Sequence, residues 1–168
     1  MIGVGVWGTV WRVKQVESKK TFAMKMMSST TAEEKKMALN EIELLKTINH
    51  ENIVKFEEEF HESGFILIIL EYCCKGDLAS VIRRQKTELK TPFPEEKVIL
   101  WFKQLVSGMV YLHKNNIIHR DINLTNIFLS SSKNLKIGDF GFARKISGKP
   151  THLVSTNITR YNTNTCHF

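Results

Sequence analysis

Four short patterns occur in a fixed order along the 168 residues, and that order restricts the fold more than any other feature of the sequence. The first is Gly3-Val4-Gly5-Val6-Trp7-Gly8-Thr9-Val10, three glycines spaced as G-x-G-x-x-G. Glycine has no side chain to block an approaching phosphate oxygen, and its amide N–H is free to donate. The same spacing occurs in dinucleotide-binding loops and in plain hairpin turns. A dinucleotide loop needs a strand before the glycines and a helix directly after them. Here the chain runs on into Val10, Trp11 and Val13, a strand-like stretch that argues against that reading.

The second pattern is Phe22-Ala23-Met24-Lys25, a lysine at the end of an apolar run. A lysine buried there without a partner would be costly, so it calls for an anion. The candidates are nucleotide phosphates and Glu41, on the inward face of the next predicted helix, four residues before Leu45. Taken singly, the two also read as a solvent-edge lysine and a surface glutamate. The third pattern is His119-Arg120-Asp121 followed by Asn126, and the fourth is Asp139-Phe140-Gly141. Asp121 can accept or orient a hydroxyl proton. Asn126 and Asp139 offer oxygens to a divalent metal. Magnesium takes hard oxygen ligands and shares them with phosphate, so an aspartate, an asparagine and a triphosphate together meet its needs.

Between these patterns the sequence predicts strands first and helices later. Residues 2–13 read as two strands around a flexible turn, and Phe22–Met27 as another. Ala32–Ile48 reads as a helix, with Met37, Glu41, Leu44, Leu45 and Ile48 at helical spacing. Ile53–Phe60 and Phe65–Tyr72 read as paired strands, the second rich enough in Ile and Leu to be covered on both faces. Asp77–Arg84 predicts a short helix and Lys86–Pro94 a loop. Glu95–His113 is the strongest helical pattern, with Val98, Trp101, Phe102, Leu105, Met109 and Leu112 on one face and Pro94, Glu95 and Glu96 at its start. Short apolar pieces follow at Ile117–Ile118, Ile127–Leu129 and Leu135–Ile137, and from Gly148 onward the chain is polar.

The composition is that of one globular domain, 42% apolar and 24% charged, with no internal repeat. A net charge of +7 suits an anionic ligand or an acidic surface, and equally a solvated lysine-rich face. Its lysines are scattered without interleaved stacking aromatics, so no nucleic-acid partner is expected. Cys73, Cys74 and Cys166 form neither a disulfide framework nor a zinc spacing, which predicts reduced thiols and a cytoplasmic or nuclear setting. The longest apolar run, Phe65–Leu70, is too short to span a bilayer. No signal-peptide pattern is present, and Ile2 stands where N-myristoylation requires a glycine.

The ordered set resembles the signature of the eukaryotic protein kinases from residue 2 to about residue 147. Within that superfamily the chain is most similar to the NIMA-related serine/threonine kinases. Leu70-Glu71-Tyr72-Cys73, Gly76-Asp77-Leu78, Phe93-Pro94-Glu95-Glu96, Trp101-Phe102, His119-Arg120-Asp121-Ile122, Asn126-Ile127-Phe128-Leu129 and Lys136-Ile137-Gly138-Asp139-Phe140-Gly141 carry that likeness. The resemblance implies an α+β, two-lobed fold with ATP and Mg2+ between a β-rich small lobe, residues 1–72, and a mainly helical large lobe, residues 73–168. It implies that Gly3, Gly5 and Gly8 cover the phosphates, and that Lys25 holds the α- and β-phosphates and pairs with Glu41. Leu70 resembles a gatekeeper and Glu71, Tyr72 and Cys73 an adenine-contacting hinge. Asp77 would reach the ribose, and Val10, Ala23 and Phe128 complete the nucleotide-binding set. Asp121 would be the catalytic base, and Asn126 and Asp139 the metal ligands. Leu45, Phe56, His119 and Phe140 would stack as a spine between the lobes.

The chain departs from the family in three places. It begins almost on the glycine loop. Asn123 stands where these kinases carry a lysine that contacts the transferred phosphate. Finally, Thr159-Arg160-Tyr161 resembles the start of a substrate-binding segment, but no A-P-E follows and Asn162–Phe168 resembles nothing in the family. The reading at this point is a partial kinase domain that transfers the γ-phosphate of Mg-ATP to a serine or threonine hydroxyl of a protein. The alternative is a catalytically inactive nucleotide-binding or scaffold fragment.

Overall fold

The computed structural model describes residues 1–5 and 8–146. Val6 and Trp7, within the glycine run, and everything from Ser147 onward lie outside the described residues. That remainder includes Thr151, Ser155, Thr156, Thr159, Cys166 and the divergent Asn162–Phe168.

The first half builds one antiparallel sheet from β1 (Gly3–Gly5), β2 (Gly8–Lys14), β3 (Thr21–Ser28), β4 (Phe56–Glu62) and β5 (Phe65–Glu71). The order is β1-β2-β3-β5-β4. β5 lies between β3 and β4, which explains its unbroken apolar run: Ile66, Ile68 and Ile69 are all buried. Helix α1 (Ala32–Thr47) packs Ala38, Ile42, Leu44 and Leu45 inward and carries Glu41 on the same face. Its start is fixed by a capping box: Glu34 N–H donates to Thr31 Oγ1 at 3.2 Å, and the Glu34 carboxylate accepts from Thr31 N at 3.0 Å. Hydrogen bonds from Ser28, Thr31 and Thr30 hold the Glu34 carboxyl down at about 2.

The second half is helical with two small two-stranded sheets: α2 (Leu78–Arg84), α3 (Glu95–Lys114), and β6 (Ile117–Ile118) paired with β9 (Arg144–Lys145). β7 (Ile127–Leu129) pairs with β8 (Leu135–Ile137). A single core runs through both halves, joining Ile42, Leu45, Ile66 and Ile68 to Leu112, Ile117, Ile137 and Phe140. Each such side chain, once fully buried, contributes roughly 1.5–3 kcal/mol. A second core gathers Leu78, Trp101, Ile127, Leu129 and Leu135. α3 approaches β8 closely at Gly108, where a Cβ would lie 2.9 Å from Ile137 Cδ1 and 3.2 Å from Asn52 O. The loop after α1 is tied to the same strand, Ile137 N donating to Asn52 O and Val54 N to Ile137 O, both at 2.8 Å. Tyr111 Oη accepts from Asn49 N at 2.9 Å and secures that loop to α3.

The predicted elements form within one or two residues of their expected bounds, with three differences. β4 begins at Phe56 rather than Ile53, because Ile53 instead makes a parallel bridge to Ile137. The stretch predicted as a loop from Lys86 starts with a π-helical turn, Gln85–Leu89, that prolongs α2. The Arg84–Glu88 ion pair at 3.0 Å supports that turn, and Lys90 ends it at φ 50°. On α3, Trp101 and Leu112 are buried and Leu105 and Met109 half-buried, but Val98 and Phe102 are exposed, Phe102 at 66%. The apolar spacing marks a face, but among the described residues nothing covers that part of it.

Candidate nucleotide and catalytic site

The sheet and the helical half enclose a cleft of about 550 Å³. Every site residue expected from sequence lines it except Asn123: Gly3, Gly5, Gly8, Val10, Ala23, Lys25, Glu41, Leu70, Glu71, Cys73, Asp77, Asp121, Asn126, Phe128 and Asp139. Ala23 and Leu70 face each other across β3 and β5, which sets them side by side on the cleft wall. Gly8 must be glycine on this path: its φ is 149°, and a Cβ would sit 2.1 Å from Met26 O.

β3 delivers Lys25 to the cleft floor, where it is 6% exposed. Its ammonium donates to Glu41 Oε1 and Oε2 at 2.7 and 2.8 Å and to Asp139 Oδ1 at 2.9 Å. Burial pulls the Lys25 ammonium down, but Glu41 and Asp139 more than offset it and the net direction is up. Burial pushes the Glu41 carboxyl up, and Lys25 lowers it by less than that. These two directions compete for one proton. Two short bonds from a single ammonium favour the ionised pair, so Lys25⁺ and Glu41⁻ is the state the geometry supports. Asp139 is also raised by burial, but Lys25 and the Gly141 N–H at 3.4 Å bring it below its ordinary value.

The loop that carries Asp121 and Asn126 is held from below. His119 is buried, and its Nε2 lies 2.9 Å from Gly138 O, which requires the proton on Nε2. Its Nδ1 then accepts from Asp121 N at 3.3 Å. Burial lowers the His119 pKa, consistent with a neutral ring. The ring meets Phe140 edge-on at 4.8 Å, and Phe140, Leu45 and Phe56 belong to the same core. Asn126 Nδ2 donates to Asp121 O at 3.0 Å and to Asp121 Oδ2 at 2.8 Å. Neither bond uses Asn126 Oδ1, the acceptor end of the amide. Arg120 and Asp139 sit at φ 67° and 56°, a backbone region costly to residues with a side chain and often found at functional sites.

Asn126 and Asp139 supply one amide and one carboxylate oxygen. That donor set is too small for a closed cage but suits magnesium shared with phosphate. Asp77 caps α2, taking Ser80 N at 2.8 Å and Ser80 Oγ at 2.7 Å, so both its oxygens are already engaged at the cleft mouth. Asn123 does not line the cleft; its amide is turned into the loop. Behind the hinge, Lys136 Nζ meets Glu71 Oε2 at 2.7 Å, which fastens the end of β5 to β8. Burial, followed by Glu71, pushes the Cys73 thiol up to about 12, which keeps it protonated near neutral pH.

Sequence reasoning missed Val54, Cys74, Thr125 and Gly138, which also line the cleft. Gly138 left a signal: as a glycine beside Asp139 it marks close packing, and a Cβ there would lie 2.8 Å from the Phe128 ring. The others carry no motif.

Three glycines, a buried lysine shared by two carboxylates and an Asp–Asn pair on one loop thus meet in one cleft. The protein kinase domain family model matches residues 1–163, and the chain belongs to that family. Among curated proteins it is 41% identical to the mouse serine/threonine-protein kinase Nek3 over 88% of the chain and 28% of the relative. It is 38% identical to mouse Nek5 over 88% of the chain and 23% of that protein. It is 37% identical to the Arabidopsis thaliana MAP3K epsilon protein kinase 1 over 95% of the chain and 12% of the relative. In each case the chain spans well under a third of the relative's length.

Proposed function

We propose that this chain is the nucleotide-binding and catalytic part of a serine/threonine protein kinase that transfers the γ-phosphate of ATP to a protein hydroxyl. Residues 1–72 are read as the small lobe and 73–168 as part of the large one. The observation that carries the reading is the meeting of Lys25, Glu41 and Asp139 with the Asp121–Asn126 pair in one cleft. Gly3, Gly5 and Gly8 cover the phosphates, Ala23, Leu70 and the chain at Glu71–Cys73 hold the adenine, and Lys25 positions the phosphates. Asp121 orients the acceptor hydroxyl and takes its proton. Asn126 and Asp139 would hold magnesium, which would supply positive charge beside the phosphates.

The free thiols of Cys73 and Cys74 support a reducing cytoplasmic or nuclear setting. Among the described residues no helix is long and apolar enough to cross a membrane. The exposed apolar side of α3 favours the second reading, a nucleotide-binding fragment without transfer activity. Purified chain, assayed for magnesium-dependent transfer to a generic serine/threonine substrate beside Asp139→Ala, separates the two. Transfer that the substitution abolishes supports the kinase. Nucleotide binding without transfer supports the fragment.

A further inference from the structure

Within the catalytic loop one side chain does two jobs with its two ends. Asn123 Nδ2 donates to Asp121 Oδ1 at 3.2 Å and to Asp121 O at 3.3 Å. Its Oδ1 accepts from Thr125 N at 2.9 Å, from Asn126 N at 3.1 Å and from Thr125 Oγ1. The oxygen end therefore caps the turn that presents Asn126, in the manner of an Asx turn. The nitrogen end holds one carboxylate oxygen of Asp121, while Asn126 Nδ2 holds the other at 2.8 Å. Asp121 is gripped by an amide on each oxygen, and its rotation is fixed before any ligand arrives.

We infer that Asn123 is a positioning residue for the proposed base Asp121, its amide clamping one oxygen of that carboxylate. A lysine at this position has donors but no acceptor, so it cannot receive the Thr125 and Asn126 N–H bonds. An asparagine can receive them, but brings no charge to the phosphoryl group. The inference rests on the kinase reading above only for its kinetic consequence; the clamp itself is a property of the folded chain.

Two substitutions separate the two ends of the side chain. Asn123→Asp keeps the acceptor and therefore the cap, but replaces the donor facing Asp121 with a like charge. Asn123→Ala removes both. Positioning predicts that Asn123→Asp lowers kcat at least as far as Asn123→Ala, on the order of 10-fold or more, with KM for ATP unchanged. A cap alone predicts wild-type kcat for Asn123→Asp, and that result would overturn the inference. A measurement that needs no turnover stands beside it. In amide NMR of the full chain, Asp121→Ala should shift the Asn123 Nδ2 protons and remove the part of their exchange protection that comes from Asp121 Oδ1, the bond to Asp121 O remaining, while the Thr125 and Asn126 backbone amides keep theirs. Unchanged Asn123 side-chain signals in that variant would sink the clamp. An inactive wild-type chain would count against the kinase reading alone and leave the NMR result to decide the clamp.

Discussion

Among the described residues Lys25 is the cation that bridges Glu41 and Asp139, so its removal exposes what each of them costs. In Lys25→Met, both carboxylates lose their ammonium and keep their burial. Glu41 is already pushed up by burial with Lys25 present, so without it the carboxyl moves further up. A carboxyl whose folded pKa exceeds its unfolded value gains a proton on folding, so the variant should become more stable as pH falls through that value. Urea midpoints at pH 5 and pH 8 test this: Lys25→Met should lose about 3 kcal/mol at pH 8 and regain part of it at pH 5. A variant equally stable at both would disprove the assignment. On the proposed kinase reading, the variant should also bind ATP poorly and transfer almost nothing. Lys25, Asp121, Asn126 and Asp139 were marked by short patterns, and Leu70, Glu71, Cys73, Asp77 and Phe128 only by the family resemblance; the structure brings them to one cleft. Glu41 came instead from helical periodicity. The inward turn of Asn123 was not legible, since an asparagine in a loop turns inward or outward according to backbone angles no motif encodes. Nor was the Lys136–Glu71 pair, whose partners lie on strands far apart in sequence.

At the scale of one element, α1 has to present Glu41 to Lys25 at a fixed height, and its first turn sets that height. Glu34 closes the capping box and is held at about 2, against an ordinary carboxyl at 4.5. Because the folded value is the lower one, its contribution is complete above 4.5 and is lost as pH falls from 4.5 towards 2. Glu34→Gln should therefore flatten the acid-side fall of the unfolding midpoint across that window and leave its shape above about pH 6 unchanged. An identical acid limb in the two proteins would refute the role given to the cap. α1 and the length of α3 were readable from periodicity, and β3 and β5 from their apolar runs. The π-helical turn at Gln85–Leu89 was not, because its support is an ion pair and a left-handed ending rather than a repeat of apolar residues.

At the scale of the whole molecule, α3 is packed on one side and, among the described residues, open on the other. Ile99, Phe102, Val106 and Val110 stand 42–66% exposed along the open side. A contiguous apolar strip of this kind promotes self-association. Phe102→Lys should reduce concentration-dependent light scattering while moving the unfolding free energy by no more than about 0.5 kcal/mol, as a surface change does. A loss of several kcal/mol would mean that Phe102 is buried after all. Deeper in the cleft, one ammonium faces two carboxylates, so the floor carries a surplus negative charge before any ligand arrives. On the proposed reading, bare triphosphate is repelled by that floor and a divalent cation is drawn to it. Each would then raise the affinity of the other by the same factor, as reciprocity requires of any two coupled ligands. On that reading the cleft answers to nucleotide and metal together more strongly than to either one alone.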